Sequence, residues 1–257
     1  FDGFTVATPA ETHFSISKKI ISYKKHILVE KPITLKFEEA QQLVSNAKAN
    51  SINIMVGHLL LFHPAIKKIK QCIEKGAIGD IKYIYSNRLN FGQVRSRENV
   101  FWSLAPHDIS IFQYLIDSSP KSIDSSGTSI LQDKISDSNI VSLSYNNGIR
   151  GHIFSSWLHP FKEHRLVIIG SNGMISYEDS SDKKIKLYDK NFSVINGQIK
   201  KTDNSFKIID YKESMPLMNQ MKYFVDHLNG DKIAISNGEH ALSVLKILID
   251  GSSKGVG

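Results

Sequence analysis

Over the first 57 residues, short apolar runs alternate with longer stretches whose apolar positions recur every three or four residues. Residues 3 to 8, Ile27 to Val29 and Ile52 to Val56 read as strands. Between them, Thr12 to Lys24 reads as a helix that turns Ile16, Ile20 and Ile21 inward. Leu35 to Ala49 reads as a second, with Ala40, Leu43, Val44 and Ala47 on one face and Thr34 as its N-cap. Strand, helix, strand, helix, strand with short connections predicts a parallel sheet with helical crossovers, the back half of a doubly wound domain.

Past Gly57 the pattern changes. His63-Pro64 opens a helix that Gly76 ends, with Ile66, Ile69 and Ile73 on its inner face. A strand follows from Ile81 to Asn90, then a polar loop from Gly92 to Asn99, then a segment from Phe101 that leads through His107 into an apolar helix ending near Leu115. From about residue 121 the period becomes that of strands. Ile140 to Tyr145 and Ile149 to Trp157 flank the hairpin turn Asn146-Asn147-Gly148. Further strands are expected at Arg165 to Ile169, Met174 to Tyr177 and Ile185 to Tyr188, and helices at Leu217 to Leu228 and Glu239 to Ile249. The fold class is α/β: a partial doubly wound parallel sheet in residues 1–57, followed in residues 58–257 by an α+β domain with a large, mostly antiparallel sheet.

With 41% hydrophobic residues in 257, the chain can bury a sizeable core. No apolar run approaches the roughly 20 residues of a membrane helix, so no membrane partner is expected and a cytoplasmic location is. The one cysteine, Cys72, excludes a disulfide within the chain and reads as a buried, inert thiol. The net charge of +7 is spread along the sequence rather than gathered into a tract, which argues against nucleic acid and for attraction of phosphorylated small molecules.

The candidate chemistry starts at His26-Ile27-Leu28-Val29-Glu30-Lys31-Pro32, where a β-branched run stops at an acid, a base and a proline. Pro32 keeps Lys31 out of the helical region, so the ammonium group is held at the C-terminal edge of a buried strand. Ligands bind at that edge in open α/β sheets, and a lysine desolvated there has a lowered pKa. The earlier turn Val6-Ala7-Thr8-Pro9-Ala10-Glu11-Thr12-His13 repeats the layout. His58 and His63 flank an apolar turn without carboxylate or cysteine at ligand spacing, so both read as packed and no metal site is expected.

Together, A-T-P-x-x-x-H at residues 7 to 13 and E-K-P at 30 to 32 resemble the glucose-fructose oxidoreductase and inositol dehydrogenase family (Gfo/Idh/MocA), over nearly the whole chain. The resemblance implies a Rossmann-type first domain, NAD or NADP as cofactor, and hydride transfer to or from a secondary alcohol of a sugar. It places Thr8, Pro9, His13, Glu30, Lys31 and Pro32 beside the cofactor, Lys31 near the reacting carbon and His107 as its acid/base partner. Family members commonly carry an acid four positions before that histidine. This chain has Ser103, which leaves two readings open: the polarising carboxylate is not supplied, or Asp108 or Glu30 substitutes for it. Arg88 and Asn90 on the preceding strand, and Trp102 and Asp108 around His107, make up the substrate set with Lys162 and Arg165. The run S-W-L-x-P with a following K-x-x-R resembles members of nucleotide-sugar metabolism. Arg95 and Arg97 read as a solvated loop.

The G-x-G-x-x-G turn that normally opens such a domain does not occur in the sequence. The chain therefore reads as an N-terminally truncated member, with a non-catalytic interaction or oligomerisation module as the alternative reading. Its first strand would then present an unpaired edge. The intact protein is expected to be a homo-oligomer, a dimer or tetramer, acting on a sugar or nucleotide sugar.

Overall fold

A computed structural model describes residues 1–253. Strands β1 (Gly3–Val6), β2 (His26–Val29) and β3 (Ile54–Val56) form a parallel sheet in that order, with helices α1 (Ala10–Ser22) and α2 (Phe37–Ala49) as crossovers. The register aligns Val6 with Val29 and Val29 with Val56, so the three strands end level. Ile27, Leu28 and Val29 are all buried because β2 is central and covered on both faces. Thr34 does not cap α2: that helix starts later, at Phe37, and the Thr34 hydroxyl donates to the Lys36 carbonyl instead (2.7 Å).

Eight strands form the second sheet: β4 (Ile81–Phe91), β5 (Pro120–Thr128), β6 (Ser138–Tyr145), β7 (Arg150–Ser156), β8 (Leu158–Gly170), β9 (Met174–Glu178), β10 (Ile185–Ile195) and β11 (Gln198–Ile208). Their order is β11-β10-β9-β8-β4-β7-β6-β5, antiparallel except where β4 meets β7. The expected hairpin joins β6 to β7, and Gly148 supplies its positive φ of 82°. Strands β5 and β11 were not individually legible in the sequence, since their burial patterns lack a continuous apolar face.

Helix α3 (Pro64–Glu74) follows a short 3-10 turn at Leu59–Phe62 and is capped by the His63 ring, whose Nδ1 accepts from the Ala65 amide (3.1 Å). Cys72, on this helix, is half-buried rather than fully enclosed. Helix α4 (Val100–Ile116) covers one face of the large sheet. Asn99 caps it by accepting from the Trp102 amide (3.0 Å), so the helix begins a full turn and more before His107 and runs through Pro106. Helix α5 (Pro216–Asp226) packs on the 3-10 turn. Helix α6 (Gly238–Ser253) returns to the small sheet, burying Ala241 and Leu245 among Val6, Ile27 and Val29. No helix among the described residues is long and apolar enough to cross a membrane.

Candidate active site

Because the parallel strands end level, the residues just beyond them share one edge. The register that pairs Val29 with Val56 carries Glu30 beside Gly57 and Lys31 beside His58, and the Gly57 amide donates to the Val29 carbonyl (2.7 Å). The Glu30 carboxylate folds over Gly57, where a Cβ would lie 2.8 Å from it. Glu30 turns its Oε2 toward the Lys31 amide (3.2 Å), and the Lys31–Pro32 bond is cis.

Lys31 reaches across to the large-sheet unit, where its Nζ donates to the Ser103 carbonyl of α4 (3.0 Å). Burial lowers its pKa, opposed by the negative charges of Glu98 first and Glu30 second. Glu98 thus exerts the largest carboxylate effect on Lys31, whereas the position four before His107 offers only a backbone oxygen.

His107 lies one turn beyond Ser103 on the same helix. Its ring makes no hydrogen bond to the described residues and is not among the enclosed, unpartnered groups, so both nitrogens keep exposed surface. Burial pushes its pKa well below the ordinary 6.5, and the positive charges of Arg88 and Lys31 push the same way. The imidazole is neutral at pH 7 and can accept a proton.

Arg88 and Asp108 are not free to bind a substrate. Arg88 is 8% exposed and Asp108 2%, and they form a two-pronged ion pair, Nε to Oδ2 and a second nitrogen to Oδ1 at 3.1 Å. A buried guanidinium needs such a partner, so each uses up the other. Asp108 therefore does not substitute for the acid missing at Ser103. Asn90 shares the inward face of β4 with Arg88, and its Oδ1 is buried without a partner. In the β4–β8 register Arg88 pairs with His164, whose Nε2 is also unpartnered.

Three further sequence candidates take other places. Trp102 donates its indole N–H to the Ser252 hydroxyl of α6 (2.7 Å) and packs between the two cores. Arg165 pairs with Asn87 in register, hence on the face of the sheet away from Arg88, and is held by Glu178 (2.8 Å). Lys162 is exposed and bound to Asp179 (2.8 Å), which also accepts from the Tyr177 hydroxyl (3.0 Å). Against the opposing effect of burial, those two bonds hold the Asp179 carboxyl at about 2.

On the cofactor side, Thr8 and Pro9 are exposed at the start of α1. His13 is 1% exposed, with Nε2 2.8 Å from the Thr8 carbonyl and Nδ1 2.8 Å from the Pro32 carbonyl. It clasps the two turns together from beneath rather than facing a ligand. Exposed Thr8, Pro9 and Glu30, with half-buried Lys31 and Pro32, fit the nicotinamide end of a dinucleotide laid across the strand ends. Among the described residues no glycine-rich turn is present to hold a pyrophosphate. No cluster of three or more His, Cys, Asp or Glu there could hold a metal ion.

His58, which the sequence reads as packed, is indeed enclosed, at 3% exposed, and it sits in register beside Lys31. That register is visible once the two strands are aligned at Val29 and Val56.

Residues 1–58 match the model of an oxidoreductase family with an NAD-binding Rossmann fold, and residues 66–176 match the GFO/IDH/MocA C-terminal domain. Between them the two matches cover more than half of the chain. UDP-N-acetylglucosamine 3-dehydrogenase of Acidithiobacillus ferrooxidans is 29% identical over 156 residues, 60% of this chain and 48% of that protein. The scyllo-inositol 2-dehydrogenase (NAD(+)) of Bacillus subtilis is 27% identical, covering 68% of this chain and 54% of its own length. The chain spans about half the length of the curated relatives it matches. The solved structure of the A. ferrooxidans enzyme superposes with a TM-score of 0.85 at 21% identity, covering 99% of this chain and 79% of that one. An inositol dehydrogenase homologue from Azotobacter vinelandii, complexed with NADH and myo-inositol, gives 0.80 at 17% identity, covering 99% of this chain and 76% of its own. At these identities the superpositions establish the fold.

Proposed function

This chain belongs to the GFO/IDH/MocA oxidoreductase family, and on that premise we propose that it contributes the reaction centre for hydride transfer between NAD(P) and a secondary alcohol of a sugar, in particular a nucleotide-linked one. The observation that carries this reading is the meeting of Lys31 and His107: the lysine at the end of β2 bonds the backbone of α4 one turn before the histidine (3.0 Å).

Bound NAD(P) would supply the hydride acceptor. Thr8, Pro9 and Glu30 border its nicotinamide end, and His13 fixes the two turns that carry them. Lys31 directs a proton donor at the carbinol oxygen and holds the carbon against the cofactor. His107, neutral, takes the hydroxyl proton as the hydride leaves. The Arg88–Asp108 pair holds α4 on β4, and burial, with the nearby Arg88 guanidinium second, keeps the imidazole unprotonated.

The preference for a nucleotide-linked sugar draws support from the A. ferrooxidans relative and from the net charge of +7, which favours phosphorylated ligands. The open face of the large sheet, where the Tyr85 and His152 rings stack at 5.1 Å, supports pairing with a second copy. The reading is tested with the full-length protein by following NADH formation from UDP-N-acetylglucosamine and from myo-inositol. Turnover of the first with little of the second is the expected result; reduction of neither NAD nor NADP with any secondary alcohol would overturn it.

A further inference from the structure

Beside Lys31, at the matching position one strand over, stands a histidine that the hydride-transfer scheme does not use. His58 is 3% exposed, and its Nδ1 lies 2.9 Å from the Ser236 hydroxyl. That hydroxyl has one proton, which it donates to the Val56 carbonyl (2.7 Å). A carbonyl can only accept, so the serine oxygen must receive the Nδ1–H of His58. The tautomer is fixed: Nδ1 carries the proton and Nε2 carries a lone pair.

The serine is held for this geometry. Ser236 has φ of +59°, a left-handed conformation that costs a non-glycine residue energy and persists only where the surroundings impose it. Its backbone carbonyl accepts from the Val56 amide (2.8 Å), so the loop is locked to the end of β3 from both sides. The His240 ring packs edge-on against His58 at 5.3 Å.

Nε2 of His58 makes no hydrogen bond to the described residues, and it is not among the enclosed, unpartnered nitrogens. The small exposed surface of this residue therefore includes that atom. Its register places it on the edge that carries Lys31. A dry imidazole between a lysine and a second histidine stays neutral, since burial and both neighbours oppose protonation.

We infer that His58 is a specificity-determining residue of this centre, an acceptor-only nitrogen that receives a hydrogen bond from a second hydroxyl of the sugar, next to the one oxidised. The inference rests on the hydride-transfer reading for the identity of the ligand, and on the Ser236 bond for the chemistry of the nitrogen. Lys31 is a donor and His107 accepts the departing proton, so neither can receive a proton from a neighbouring hydroxyl. A site that needs a donor at this place discriminates against deoxy and fluoro analogues, which leave the lone pair unmatched.

The experiment has two arms on the full-length protein. In the first, nitrogen NMR of histidine-labelled protein reads the tautomer without any ligand. The His58 resonances, identified by their loss in His58→Gln, are expected to show Nδ1–H and no titration between pH 5 and 8. Ser236→Ala should release the tautomer, and adding UDP-N-acetylglucosamine or myo-inositol to the unsubstituted protein should move the Nε2 resonance. A ring protonated at Nε2, or an Nε2 resonance that neither compound moves, overturns the inference. In the second arm, His58→Leu should raise the KM for the sugar roughly 10- to 100-fold while leaving the KM for NAD unchanged. His58→Gln, which keeps an acceptor, should recover most of that loss, and the unsubstituted enzyme should lose a similar factor on the deoxy analogue. An unchanged sugar KM in His58→Leu, alongside loss of turnover in Lys31→Ala, sinks the role of His58 and spares the oxidoreductase reading. Turnover that survives Lys31→Ala sinks that reading instead, and the NMR arm still judges His58.

Discussion

The Nζ of Lys31 donates to the backbone carbonyl of Ser103, 3.0 Å away, and so joins the end of the parallel sheet to the helix that carries His107. The bond explains how a serine can stand where related proteins commonly have an acid. A carbonyl fixes the direction of the ammonium without adding a full negative charge, and Glu98 supplies the largest carboxylate effect. Ser103→Asp is therefore expected to raise the Lys31 pKa and shift the alkaline side of the rate profile upward. A profile that does not move would show that residue 103 acts only through its backbone.

Arg88 and Asp108 should behave as one unit. Asp108→Asn leaves a buried guanidinium without its counter-charge and is expected to cost about 3–5 kcal/mol of stability, as is Arg88→Ala. The double replacement Arg88→Met with Asp108→Leu should cost far less than the sum, because it removes both charges together. Denaturant unfolding of the four proteins measures the coupling; additive losses would show that the pair is not the unit described.

Buried neutral histidines set the acid limit of stability. Burial pushes His240 down to about 4 from the ordinary 6.5, and burial followed by the Arg88 charge pushes His164 to the same value. The unfolded chain binds these protons first, so stability is complete above pH 6.5 and is lost as pH falls toward 4. For His240 alone the loss is on the order of 3 kcal/mol. His240→Phe should flatten the fall in melting temperature between pH 6.5 and 4.5; an unchanged slope would place the acid sensitivity elsewhere.

His13 should act on the cofactor side only. Its ring sits between the Thr8 and Pro32 carbonyls, with one ring nitrogen 2.8 Å from each. His13→Ala is expected to destabilise the fold by about 1–3 kcal/mol and to raise the KM for NAD with little change in the sugar KM. Equal rises in both constants would indicate general loosening of the cleft.

The layout of this centre was legible where periodicity and punctuation act locally. The apolar run before Glu30 gave β2, Pro32 gave its corner, and Asn146-Asn147-Gly148 gave the β6–β7 hairpin, because each is decided by neighbours in sequence. Residues whose role depends on a distant partner were misread. Trp102 looked like a cleft aromatic until Ser252 took its N–H, and Arg88 looked like an anion binder until Asp108, 20 residues on, neutralised it. Arg165 failed on parity alone: one position along β8 from His164, it falls on the opposite face of the sheet. His58 reads as packed and is packed, but the bond that orients its ring comes from Ser236, 178 residues away, and is invisible to local pattern.

The most direct test of the central claim compares Lys31→Ala with the unsubstituted full-length protein, measuring NAD(H) binding by calorimetry and hydride transfer by NADH absorbance. Dinucleotide binding is expected within a few-fold of the original and turnover lowered by at least roughly 1,000-fold, since Lys31 bears on the reacting carbon. Turnover within tenfold of the original, with binding intact, would contradict it.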